Sequence, residues 1–145
     1  MLKVHQSTGA WVREDGSALL DPNGHAIVGW AGNDANPEFN PKRIHGKNNP
    51  SAQAIPNIGP LPQGFYTIKW LTAEEAKPYA HLGPNIAMLI PDKGNTMFGR
   101  SGFFCHGAAK DLKLRGQESR GCPVLPPVQR QAVKDTGETR LEVVA

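Results

Sequence analysis

Residues 103–123 read FFCHGAAKDLKLRGQESRGCP, and what this stretch builds decides what the rest of the chain must support. Phe103, Phe104 and Cys105 lead into His106 as a short apolar run, the pattern of a strand. Phe103 and Cys105 are expected on one face of it, with Phe104 and His106 on the other. Gly107 permits a sharp turn directly after the histidine, and a loop later Ser119-Arg120-Gly121-Cys122-Pro123 forms a second turn. Thiol chemistry needs a sulfur nucleophile and a base to take its proton, because a free cysteine is only a few per cent thiolate at neutral pH. Cys122 and His106 are the candidates for these two roles. Gly121 leaves backbone N–H groups uncovered beside the sulfur, which suits a turn that holds an oxyanion. Cys105 is expected to point away from the site. Two bland readings compete: a packed thiol beside a core histidine, or a Cys105–Cys122 disulfide that would consume the nucleophile.

Upstream, residues 59–68 read GPLPQGFYTI, a rigid turn feeding a strand in which Tyr66, Ile68 and Trp70 form the more apolar face against Phe65, Thr67 and Lys69. Thr72 is placed to cap a short helix over TAEEAKPYA, with Glu75 at the capping-box position and Pro78 limiting its length. The continuous apolar run NIAMLIP, residues 85–91, predicts a central strand covered on both faces. Downstream, Pro127 suits the first turn of a helix over VQRQAVKD that packs by a narrow face, and TRLEVVA predicts a last strand with Leu141 and Val143 inward. Near the N-terminus LKVHQS, AWVRE and SALLD are separated by Thr8-Gly9 and Asp15-Gly16, and HAIVGWAG continues as a strand. Residues 32–57 are polar, rich in Pro and Asn and without periodicity, the mark of a functional lid or of disorder. The expectation is about seven to nine short strands with two short helices, a mostly β fold arranged as a sandwich or a partly closed barrel.

A chain of 145 residues suits one domain, residues 1–145, with one hydrophobic core. Gly and Pro, 16 and 13 residues, make up about a fifth of it against roughly 12% on average, so tight turns and loops should be frequent. The formal charge of +3 comes without a run of Lys or Arg, and no nucleic-acid partner is expected. No segment approaches the roughly 18 apolar residues that span a membrane. The first residues, MLKVHQSTGAWVRED, lack the apolar centre of a secretory signal. His25 and His45 have no carboxylate or cysteine at ligand spacing, so no metal and no cofactor is expected.

The order His-Gly, a loop, then Ser-x-Gly-Cys resembles the signature of L,D-transpeptidases, cysteine enzymes that remodel peptidoglycan stem peptides. Asn48-Asn49-Pro50 and the GPLPQGFYTI strand reinforce the resemblance, which is nearest to the small L,D-transpeptidase-like effectors of type VI secretion systems. It implies an L,D-transpeptidase-like fold and a single catalytic domain, with Cys122 as nucleophile and His106 as base. The oxyanion and the turn would be supported by Gly121, Ser119 and Gly107. Many members carry His between the Ser and Gly of the turn where this chain has Arg120, a fixed positive charge suited to a substrate carboxylate. Arg100 is a second candidate for that contact, and Asn48 and Asn49 are candidates for stem-peptide amides. Ser119 or Asp111 would orient the imidazole; a backbone carbonyl is equally available.

By the same resemblance the reaction is L,D-carboxypeptidase or L,D-transpeptidase action on tetrapeptide stems, the cleavage or exchange of the terminal D-alanine. The chain would be an antibacterial effector made in the cytoplasm, secreted without a cleaved signal and active in the periplasm of a target cell. An immunity protein and a secretion-system component would be its protein partners. The residues alone support thiol-based acyl transfer; the alternative class is a non-catalytic cell-wall-binding or secretion-scaffold β domain.

Overall fold

The computed structural model describes residues 1–111 and 113–145. Its strands are β1 (Leu2–His5), β2 (Trp11–Arg13), β3 (Gly64–Trp70), β4 (Ala87–Pro91), β5 (Phe104–Cys105) and β6 (Arg140–Val144). They form one sheet in the order β2-β1-β6-β3-β4-β5, in which β1 and β6 run parallel and all other neighbours antiparallel. The two ends of the chain therefore meet inside the sheet. Leu2 pairs with Leu141 and Val4 with Val143, which puts four buried side chains on the same face. Tyr66 and Ile68 of β3 join them, while Phe65 on the opposite face is 41% exposed. Trp11, Ile27, Leu61, Leu89 and Leu125 complete the core. Each such side chain stabilises the fold by roughly 1.5–3 kcal/mol through the area it removes from water.

Three expectations are corrected. The sheet is single, so the sandwich arrangement is not what this chain builds. The run 85–91 is not covered on both faces: Ala87 and Leu89 are buried, but Ile90 is 41% exposed beside Phe65, because no second layer lies over that side of β3 and β4. Finally, the segments expected as further N-terminal strands pair only at single bridges, Val12 with Ala18, Leu20 with Ala26 and Ala10 with Val28. Asp21 shows why: its carboxylate accepts from the N–H groups of Asn23 and His25, so the turn satisfies the backbone that a longer ladder would have used.

Single bridges also bring the edges of the sheet together. Val124 pairs with His106 just beyond β5 and with Trp30, whose segment pairs back to Ala10 beside β2. The sheet is thereby curled into a half-barrel with a seam of short contacts, and His106 and Cys122 lie along that seam.

Helix α1 (Ala73–Ala76) carries the capping box formed by Thr72 and Glu75, and it runs on as a 3-10 helix over Lys77–Leu82. Helix α2 (Pro127–Asp135) starts with Pro127 in its first turn and buries only Arg130 and Val133, a narrow face indeed.

The tract 32–57 is ordered, chiefly by its own polar side chains. Asn33, Asn36 and Asn40 are buried. Asn33 Nδ2 donates to the carbonyls of Asn57 and Ser119, and Asn36 Nδ2 to that of Gln117. Gln117 Oε1 in turn accepts from the N–H groups of Asp34 and Ala35. The tract is a strap laid against residues 117–121, where it buttresses the turn that carries Cys122.

Candidate active site

A cleft of about 740 Å³ opens at the seam, with His106, Gly107, Arg100, Glu118, Arg120 and Cys122 in its wall. Cys122 is half-buried and Cys105 fully buried, and both are free thiols. The disulfide alternative is thus overturned: Cys105 belongs to the core. Burial pushes its thiol up to about 12. The strict alternation expected for residues 103–106 holds only in part. Phe103 lines the cleft together with His106, because β5 is two residues long, while Phe104 packs its ring against Tyr79 at 5.0 Å.

His106 is held by the backbone on both sides. Its N–H donates to the carbonyl of Pro123 and its carbonyl accepts from Leu125 N–H, so the histidine and the cysteine turn are stitched directly together. The ring atom Nδ1 lies 2.8 Å from the carbonyl oxygen of Gly107. A carbonyl only accepts, so Nδ1 carries the hydrogen and Nε2 presents a lone pair, the tautomer a general base needs. Burial pushes the imidazole below its ordinary value, opposed by the Gly107 hydrogen bond and by Glu118, and assisted by Arg130 and His81. His106 is neutral at pH 7.

Of the orienting groups left open by the sequence, Ser119, Asp111 or a backbone carbonyl, the structure places the Gly107 carbonyl against the ring. Asp111 accepts from Lys113 N–H instead. Gly107 itself is required by crowding: an added Cβ would lie 2.8 Å from Arg130 Nη1 and 3.1 Å from the carbonyl of Leu82. The carboxylate that acts on the imidazole is Glu118, one residue before Ser119. Its Oε2 accepts from Ala109 and Gly116 N–H at 3.3 and 2.9 Å, and its Oε1 is buried without a partner.

Ser119 is fully buried and organises the turn that carries Cys122. Its hydroxyl donates to the carbonyl of Cys122 at 2.6 Å and accepts from Gly121 N–H at 3.1 Å and Gly32 N–H at 2.9 Å. One consequence corrects the oxyanion reading. The Gly121 N–H is committed to Ser119, whereas the Cys122 N–H has no hydrogen-bond partner among the described residues. Gly121 has φ 127°, and a Cβ there would meet Arg100 Nη2 at 2.5 Å and Phe103 at 2.8 Å. Its place is structural: only glycine lets the chain pass.

The sulfur of Cys122 accepts from Phe104 N–H at 3.3 Å, and no hydrogen bond joins it to the imidazole. Burial raises the thiol above its ordinary value, while the Phe104 N–H, Arg100 and Arg120 act in the opposite direction.

Arg120 is exposed at the cleft with its guanidinium over the ring of Phe39 at 3.8 Å. Arg100 is different. It is 7% exposed, and its two terminal nitrogens donate to four carbonyls, those of Gln53, Pro60, Gly59 and Arg120. No terminal N–H remains for a substrate carboxylate, and the clamp expected of it is corrected to an internal role. Asn48 and Asn49 stand apart from the cleft lining. Asn48 Oδ1 accepts from Ala31 N–H, and Asn49 caps the 3-10 helix Pro50–Ala52 while donating to the His45 carbonyl. Both serve local turns. His25 and His45 do have carboxylate neighbours, Asp21 at 3.8 Å and Asp34 at 2.8 Å. Among the described residues no three metal-ligating side chains come together, and no helix is long and apolar enough to cross a membrane.

A search among curated proteins returns no match. The family model of the Tlde1 domain matches residues 42–145, most of the chain and all of the cleft residues named above. The chain belongs to the Tlde1 domain family, which points to a type VI secretion effector acting on peptidoglycan.

Proposed function

We propose that this protein is a cysteine acyl-transfer enzyme of L,D-transpeptidase type acting on peptidoglycan tetrapeptide stems. Cys122 sulfur attacks the carbonyl carbon at the L-centre of meso-diaminopimelate, and His106 Nε2 takes the thiol proton. The tetrahedral oxyanion is met by the Cys122 N–H, which has no partner among the described residues. As it collapses, the C–N bond breaks, the imidazolium returns its proton to the leaving amine, and D-alanine departs from a thioester. Water, deprotonated by His106, then releases the tripeptide; an amine in its place gives transpeptidation or exchange of the D-amino acid. Arg120 gives the cleft a fixed positive charge for the carboxylate of D-alanine. The whole chain acts as one catalytic domain, delivered to the periplasm of a target cell, where an immunity protein would be its natural antagonist.

The observation that carries this reading is that a neutral imidazole with Nε2 free and a half-buried free thiol share the wall of one cleft. One observation favours the alternative of a non-catalytic wall-binding domain: the sulfur is bonded to Phe104 N–H and not to His106. Purified muropeptides incubated with wild type and with Cys122→Ala, followed by mass spectrometry, decide between them. Loss or exchange of D-alanine with wild type alone supports the enzyme. Binding of muropeptides without any change in their mass supports the alternative.

A further inference from the structure

The strap of residues 32–57 contains one Phe, Tyr or Trp, and it is Phe39. Buried asparagines on either side fix its place. Asn36 Oδ1 accepts from the N–H groups of Glu38 and Phe39, and the Asn36 carbonyl accepts from Asn40 N–H. Asn36 Nδ2 donates to the carbonyl of Gln117 at 2.9 Å, three residues before Arg120. The half-buried ring is thus displayed on a turn held in register with the turn that carries Cys122. Over that ring, 3.8 Å from its centre, lies the guanidinium carbon of Arg120. At this separation the guanidinium meets the ring by its face, and its N–H donors, which lie in its own plane, point past the ring.

Arg120 is held at both ends. Its carbonyl accepts from Arg100 Nη2 at 2.9 Å, and its guanidinium rests on Phe39. Arg100 and Arg130 direct their donors at carbonyls of the fold, whereas the Arg120 guanidinium makes no hydrogen bond and no ion pair among the described residues. An exposed arginine ordinarily moves among many rotamers, and the stack restricts that freedom before any ligand arrives. Resting on the reading of this cleft as a stem-peptide site, we infer that Arg120 and Phe39 form a carboxylate-recognition site, with Arg120 selecting stems that end in a free carboxylate and Phe39 as its positioning residue. The planar fork of the guanidinium matches the two oxygens of a carboxylate. A terminal D-alanine whose carboxyl is already in amide linkage offers the fork no anion. Lys110 is also in the wall of the cleft, but an ammonium is a point charge without that fork. The acids in the wall, Asp111 and Glu118, accept from backbone N–H groups of their own loop.

The test is calorimetric titration of the full chain carrying Cys122→Ala, which leaves the peptide intact, with the tetrapeptide stem as the free acid and with its terminal D-alanine as the amide. The acid should bind about tenfold tighter than the amide or better, the scale of a charge-assisted pair. Arg120→Gln should abolish the preference by weakening the acid alone. Phe39→Leu should weaken the acid about two- to fivefold, Phe39→Trp should keep it, and Phe39→Leu added to Arg120→Gln should change nothing further. Equal binding of acid and amide, or of neither, overturns the inference. So does an acid preference that survives Arg120→Gln, which would assign it to Lys110. A Phe39→Leu loss that is the same for the amide, or that persists without Arg120, overturns the positioning role. Should Phe39→Leu fail to fold, Arg120→Lys takes its place, since it keeps the charge but cannot lie flat on the ring; full acid binding by that variant overturns the positioning role. Binding is read without turnover. An acid preference in a protein that never releases D-alanine therefore removes the acyl-transfer reading and keeps this site, and release of D-alanine and of its amide at equal rates does the reverse.

Discussion

Ser119 Oγ donates to the carbonyl of Cys122 at 2.6 Å while accepting from the N–H of Gly121, so one buried hydroxyl sets both ends of the turn that carries Cys122. Its third bond, from Gly32 N–H, ties the turn to the polar strap. Ser119→Ala leaves these partners unpaired in a buried place, where each costs about 1–3 kcal/mol. Urea unfolding should show a loss in that range or above, and D-alanine release should fall with it. Unchanged stability would mean that the hydroxyl is dispensable to the turn.

Gly121 cannot be replaced by even the smallest side chain. At φ 127° an added Cβ meets Arg100, Phe103 and the carbonyl of Gly59, all within 3.0 Å. Gly121→Ala should therefore abolish activity and lower the melting temperature. Gly94→Ala, where a Cβ meets nothing within 4 Å, is the control and should change neither. Equal behaviour of the two variants contradicts the crowding assigned to the turn.

Arg130 supports the histidine side of the seam much as Arg100 supports the cysteine side. Its guanidinium donates to the carbonyls of Pro84, Asn85 and Leu125 and lies against Gly107. Arg130→Met should destabilise by about 3 kcal/mol or more, since several buried acceptors lose their donors together. Arg130→Lys should rescue little, because one ammonium cannot reproduce the planar fork. Recovery of wild-type unfolding by lysine would show that charge alone matters there.

Burial holds His106 below the ordinary histidine value of about 6.5. On acidification the unfolded chain takes up a proton that the folded protein refuses. The stability contributed by this group is complete above about pH 6.5, and it is lost as the pH falls below that value until the folded imidazole also protonates. The acid limb of kcat/KM should accordingly lie below pH 6.5. Glu118→Gln removes a carboxylate that favours the charged ring, so an NMR titration of the imidazole should report a still lower midpoint in that variant. A midpoint that rises would assign the opposite sign to the Glu118 field.

The placement of the candidate pair was legible because it is local in the chain: His106 and Cys122 sit beside tight turns and line the same cleft, and the capping box at Thr72 and Glu75 is visible from spacing alone. What stayed hidden depends on the fold. Arg100 sits in a Gly-Arg-Ser-Gly context typical of a surface loop, and the carbonyls it gathers are 20 to 47 residues away in sequence. Ile90 belongs to an unbroken apolar run, yet no pattern of residues states whether a second layer will cover it. Asn33, Asn36 and Asn40 have the composition of a loose loop. Their burial follows only because Gln117 and Ser119 arrive to pair with them.

The central claim is covalent chemistry at Cys122, and the most direct measurement is the intact mass of the protein quenched in acid shortly after mixing with a tetrapeptide muropeptide. The account predicts an adduct of the muropeptide less D-alanine, mapped to the peptide containing Cys122 and absent from Cys122→Ala. Release of D-alanine by Cys122→Ala at the wild-type rate, with no adduct on either protein, would contradict it.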